Sequence, residues 1–195
     1  MATFAFAFLD CEFGGLDPEL HDITEIAVIM TDERLVEFAQ GEWKVSAREE
    51  RITKEAAKIS GYDPEVWRTE SVALPQALNE FSSLCPENQT VVPAGQNVRM
   101  DVQFLERAYK NTHIDFPFDY HTLDLATLFY SYCLIGGKNV KALSLRRSAT
   151  VAGLSDGSVP HRAMADARLT LETFRYYIEN LQISPEKSVS SKPSP

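Results

Sequence analysis

Residues Phe4 to Leu9 are apolar without interruption and lead straight into two acids, Asp10 and Glu12. A short, unbroken apolar run of this kind predicts a strand buried inside the fold. Along an extended chain alternate side chains share a face, so both carboxylates point the same way. Phe4, Phe6 and Phe8 have the same parity. The acids therefore end a row that otherwise faces the core, where an unpaired carboxylate is costly. Whatever the chain folds into must place two charges at the rim of its apolar interior.

The sequence beyond this run fixes the rest of the architecture. Gly14 and Gly15 break the first strand, and Asp17-Pro18 marks a turn. Ile23 to Met30 and Leu35 to Val45 read as two more strands, and three in succession suggest an antiparallel meander. Thr53 caps an expected helix that runs to about Ile59 and stops at Gly61. Ser71 to Leu84 reads as a helix with Pro75 tolerated in its first turn. A fourth strand over Thr90 to Ala94 precedes a helix from about Met100 to Asn111, and Asp119 to Leu123 is expected as a fifth strand. Leu125 to Leu134, Ala142 to Ala152 and Arg162 to Leu181 read as helices. This order implies an α/β fold, a mixed five-stranded sheet flanked by helices. Residues 1–183 form one expected domain, and the Ser/Pro-rich stretch 184–195 reads as a disordered tail.

Composition narrows the function classes. At 44% hydrophobic and 24% charged residues, the chain resembles an ordinary soluble domain. Its net charge of −9 makes it a poor non-specific binder of duplex nucleic acid, so any nucleic acid it handles is held locally. Cys11, Cys85 and Cys133 are odd in number and form no CxxC. They argue against a disulfide framework or a zinc site and fit a cytoplasmic, reducing setting. No stretch is long and apolar enough to span a membrane. The first residues lack a basic leader and read as a strand rather than a signal peptide.

Three further residues belong with Asp10 and Glu12. Asp101 lies on the stripe that Phe104, Leu105 and Ala108 make on their helix. Asp166 shares a stripe with Ala163, Ala167, Thr170, Phe174, Tyr177 and Leu181, and the small Ala163, Ala165 and Ala167 allow that helix to approach the sheet closely. His161 stands five places before Asp166, off its face, and belongs to the loop that Pro160 marks. Each has a plainer reading. The paired acids could match basic neighbours, Asp101 could serve the helix dipole, and His161 could be a cap. Together they make four acids that cannot all stay ionised in one site without cations. Two divalent ions would balance them, and with a nearby histidine such a site suits phosphodiester cleavage.

Read as FLDCEFGGLDP, GQNVRMDVQFL and HRAMADA, the three segments resemble the DEDDh branch of the 3′→5′ exonucleases. The stretches ITEIAVIM, TVVPAGQN and DYHTLDLA resemble its strands, so the likeness runs from about Thr3 to Leu181. It implies a ribonuclease-H-like fold that acts on single-stranded DNA or RNA 3′ ends and releases nucleoside 5′-monophosphates. Asp10, Glu12, Asp101 and Asp166 would bind two Mg²⁺ or Mn²⁺ ions, with His161 as general base. Leu16 would wedge against the terminal bases, Phe13 could stack on one, and Asn97 would support the site. The chain departs from the family where two threonines commonly follow the glutamate: here they are Phe13 and Gly14. The second motif carries Gln96-Asn97 where many members have His-Asn. A homodimer or a polymerase partner is left undecided.

Two other readings compete with this one. A non-catalytic nucleic-acid- or polymerase-binding module would have no need of the intact acids. A phosphatase of the aspartyl-phosphate type would carry D-x-D rather than D-x-E. Leu125 to Ser155 contains no acid but holds Lys138, Lys141, Arg146 and Arg147, a candidate guide for a single strand or simply a solvated basic face.

Overall fold

The computed structural model describes residues 3–157 and 161–181. Five strands form one mixed sheet in the order β3-β2-β1-β4-β5. β1 (Phe4–Phe13) is central, antiparallel to β2 (Ile23–Thr31) and parallel to β4 (Thr90–Gly95). β3 (Glu37–Lys44) continues the meander on one edge, and β5 (Leu123–Asp124) lies parallel to β4 on the other. The helices are α1 (Lys54–Ser60), α2 (Pro64–Glu70), α3 (Leu74–Leu84), α4 (Arg99–Thr112), α5 (Leu125–Ile135), α6 (Leu145–Ala152) and α7 (Ala163–Asn180). This is the mixed sheet flanked by helices that the sequence implies.

The two parities of β1 serve two cores. Ala5, Ala7, Leu9 and Cys11 pack with α3 and α4 residues such as Leu78, Phe81 and Leu105. Phe8, with the half-buried Phe6, packs with Phe129 of α5 and Ala167, Leu171 and Phe174 of α7. All nine residues of β2 are buried, as expected of a strand covered on both faces. Ala163 and Ala167 are fully buried, so the absence of bulk there brings α7 close to the sheet.

Six local expectations change, two of them helix starts: α3 begins at Leu74 and not Ser71, which ends α2 instead, and α6 begins at Leu145, capped by Ser144, and not at Ala142. β1 continues through the acids to Phe13 instead of stopping at Leu9, because β2 pairs with it throughout. β3 begins at Glu37, since Leu35 takes a left-handed turn with φ 61°. The fifth strand is Leu123–Asp124, later than the expected Asp119 to Leu123. α2 was not expected at all. Asp63 caps it by accepting from the Glu65 N–H, and Pro64 occupies its first turn. The expected tail and Pro160 lie outside the described residues.

Candidate active site

The site sits at the carboxyl ends of the parallel strands, where open α/β sheets offer a crevice. β1 delivers Asp10 and Glu12, β4 leads into Gln96, Asn97 and α4, and α7 crosses from the other side with Asp166. One oxygen from each of Asp10, Glu12 and Asp166 lies within 4.8 Å of the others. A bulge interrupts the β1–β2 ladder between Glu12 and Phe13, a device that re-aims side chains beside active sites.

The cluster is electrostatically unfinished. Burial lifts the Asp10 carboxyl well above its usual range, and the charges of Asp101, Asp166, Glu12 and Glu25 lift it further. Glu12 is pushed up to about 7 by burial and then by Asp166 and Glu25, while Arg162 opposes the shift. Asp166 is raised to about 6, again mainly by burial, although His161 stabilises its charged form. Its Oδ1 is buried and accepts no hydrogen bond. Such an orphaned oxygen inside a group of like charges is what a hard cation would complete, and an all-oxygen donor set suits Mg²⁺ or Mn²⁺ better than zinc.

Asp101 stands beside this triangle and outside it. It is buried at the start of α4, and its Oδ1 accepts the Cys11 N–H at 2.9 Å. Burial is the main reason its carboxyl rises to about 8. It thus couples α4 to the middle of the D-x-E segment. His161 is exposed and precedes α7 in a left-handed conformation, φ 51°. Its backbone N–H donates to the Asp166 carboxylate, which places the residue at the rim of the acids.

The other expected residues ring the same end of the sheet. Leu16 is 84% exposed on the β1–β2 loop. Phe13 is half-buried and stacks on Phe104, ring centroids 3.9 Å apart, so one face of its ring has a protein partner. Asn97 is exposed, with φ 56°, at the turn into α4. Gln96 donates to the Leu143 carbonyl at 2.8 Å and so ties the basic segment to the edge of the site. Asp124 caps α5 through the Ala126 N–H and also accepts from the Val98 N–H. The departure at Gly14 has a steric cause. A Cβ there would lie 2.2 Å from the Arg51 carbonyl oxygen, so a threonine cannot be accommodated in this conformation.

Sequence reasoning missed Glu25. It lies opposite Glu12 across the β1–β2 ladder, is fully buried, and pairs with Arg162 at 3.1 Å. The signal was a lone charge inside the apolar run ITEIAVIM.

A half-buried acid triangle at the strand ends of a ribonuclease-H-like sheet defines a nuclease-type site. The chain matches the exonuclease family over residues 7–174 and belongs to that family. It is 25% identical over 189 residues to an oligoribonuclease of Tropheryma whipplei, covering 89% of this chain and 91% of the relative. It is 28% identical over 185 residues to one of Vibrio parahaemolyticus, covering 89% and 93%. A zinc-bound complex of E. coli exonuclease I with single-stranded DNA shares the fold, with a TM-score of 0.76 and 20% identity over 93% of this chain. Exonuclease I from Methylocaldum szegediense gives 0.75 and 18% over 92%. The chain spans 41% of the length of each of these two exonuclease I chains. The protein is accordingly a hydrolase of the 3′→5′ exonuclease class. Among the described residues no helix is long and apolar enough to cross a membrane.

Proposed function

We propose that this chain removes nucleotides from the 3′ ends of single-stranded DNA or RNA, releasing nucleoside 5′-monophosphates, within the cytoplasm. The observation that carries the proposal is the triangle of Asp10, Glu12 and Asp166 with the orphaned oxygen of Asp166. These three, with Asp101 beside them, would hold two divalent ions, Mg²⁺ or Mn²⁺. When bound, such ions make water a stronger nucleophile and stabilise charge on the leaving oxygen.

The chain's own groups do the rest. His161, at the rim, takes a proton from the attacking water as general base, a role suited to an imidazole near neutral pH. The exposed Leu16 wedges against the terminal base. Phe13, backed by Phe104, supports the ribose or base from beneath, and Asn97 frames the opposite side of the opening. Lys141 and Arg146, exposed on the segment tied down through Gln96, attract the phosphates upstream, so binding weakens with salt. The sequence relatives are named oligoribonucleases, whereas the exonuclease I complexes contain DNA oligonucleotides, so both sugars enter the test.

The test is a time course on 5′-labelled single-stranded DNA and RNA with Mg²⁺, Mn²⁺ or EDTA, beside Asp101→Ala. A metal-dependent ladder that shortens from the 3′ end and vanishes in the variant supports the proposal. Strands that are bound but never shortened under any metal would leave a binding module instead.

A further inference from the structure

Arg162 is the one basic side chain bonded to the acids around the site, among the described residues, and its surroundings are unusually well defined. It occupies the N-cap position of α7, in extended conformation, directly after His161. Its carbonyl accepts the Asp166 N–H at 2.9 Å. Its guanidinium reaches back across the sheet to Glu25 Oε1 at 3.1 Å. The same guanidinium lies over the indole of Trp67, 5.8 Å from the ring centroid. Trp67 is in turn only 3% exposed, and its Nε1–H donates to the Thr24 carbonyl at 2.8 Å, next to Glu25.

Two fixed points therefore grip this side chain: a buried carboxylate on β2 and an aromatic face on α2. His161 directly precedes the gripped arginine and is held in a backbone conformation that residues other than glycine rarely adopt. Such a conformation persists only where its surroundings over-determine it. On one side of His161 its own N–H is bound to Asp166. On its C-terminal side the backbone runs directly into the anchored Arg162.

We propose that Arg162 is a positioning residue: anchored on Glu25 and Trp67, it fixes the backbone turn that presents His161 to the acid triangle. The inference rests on the proposed role of His161 as base. It assigns the Glu25–Arg162–Trp67 assembly to the reaction and not to stability alone. A misplacement of about 1 Å at a reacting group can cost on the order of 100-fold in rate, so loss of the anchor is expected to act on kcat.

The experiment compares steady-state kinetics and Tm for wild type, R162Q, R162K, E25Q, the double variant R162Q/E25Q, H161A and H161A/R162Q. The substrate is a labelled single-stranded oligonucleotide with Mg²⁺. R162Q is expected to lose roughly 10- to 100-fold in kcat with KM within about twofold. R162K, which keeps the charge and loses the planar fork, recovers part of it. R162Q/E25Q removes both charges, so Tm returns toward wild type while kcat stays low. H161A/R162Q is no slower than H161A, because the arginine acts through the histidine. A folded R162Q at the wild-type rate overturns the inference, as does kcat recovering together with Tm in R162Q/E25Q, or a further drop of about 10-fold or more in H161A/R162Q. If wild type is inactive or H161A keeps full rate, the base reading itself falls, and the inference with it.

Discussion

At the scale of single residues, the acids of the site oppose folding unless something neutralises them. Asp166→Asn keeps the shape of the side chain and removes a charge that acts against those of Asp10 and Glu12. We expect its Tm in EDTA to exceed that of wild type, while its activity with Mg²⁺ falls by more than about 100-fold, the scale of losing metal-based stabilisation. Unchanged or lower stability in EDTA would mean that the cluster is not under charge strain. His161→Ala is expected to lower kcat by roughly 10²- to 10⁴-fold without destabilising the protein, since the side chain is exposed. Gly14 makes a steric prediction. Gly14→Ala brings a Cβ against the Arg51 carbonyl and should cost about 1–3 kcal/mol by denaturant unfolding.

Among elements, α2 links a short surface helix to the chemistry. Trp67 fills the space beside β2 and hydrogen-bonds to its backbone. Trp67→Ala should cost about 3–5 kcal/mol of stability. Trp67→Phe keeps most of the packing, loses the Thr24 hydrogen bond, and should cost about 1 kcal/mol. Equal costs for the two, read from urea midpoints, would show that the indole N–H and not the packing holds the helix. The same helix marks where the sequence was hardest to read. The long elements were legible because their apolar periods were clear: β1, β2, β4, α4 and α7 stand close to where the side-chain pattern puts them. α2 is only seven residues long with a single buried residue, so it has no period to detect, although Asp63-Pro64 was a readable start signal. β5 consists of two residues fixed by pairing with Ala94 and Gly95, a tertiary constraint that no local pattern carries. Asp10, Glu12, Asp101 and Asp166 stood out in the sequence as acids beside apolar runs or stripes, whereas His161, exposed before α7, was marked only by the resemblance of HRAMADA to the family's motif. Glu25 and Arg162 were not legible, because their relation depends on a contact between β2 and the start of α7.

For the molecule as a whole, the raised carboxyl groups make stability depend on pH and on cations together. A carboxyl whose folded pKa lies above its unfolded value favours the folded state while it is protonated, and that advantage is lost as pH rises through the folded pKa. Asp166, Glu12 and Asp101 sit at about 6, about 7 and about 8. In EDTA the Tm should therefore decline between about pH 5 and 8. On the proposed reading Mg²⁺ binds the ionised acids, and its stabilising effect should then grow over the same interval. A Tm in EDTA that is flat or rising across this range would contradict the charge arrangement described above.

The acid triangle also has a consequence for how the protein is made. Asp10 and Glu12 belong to β1, the first element of the described fold, whereas Asp166 arrives only with α7, its last helix. Until α7 is in place, Asp10 and Glu12 lack the third acid of the triangle. The triangle is therefore assembled by the fold and not by any contiguous segment, so the proposed chemistry must wait until the sheet and α7 have come together.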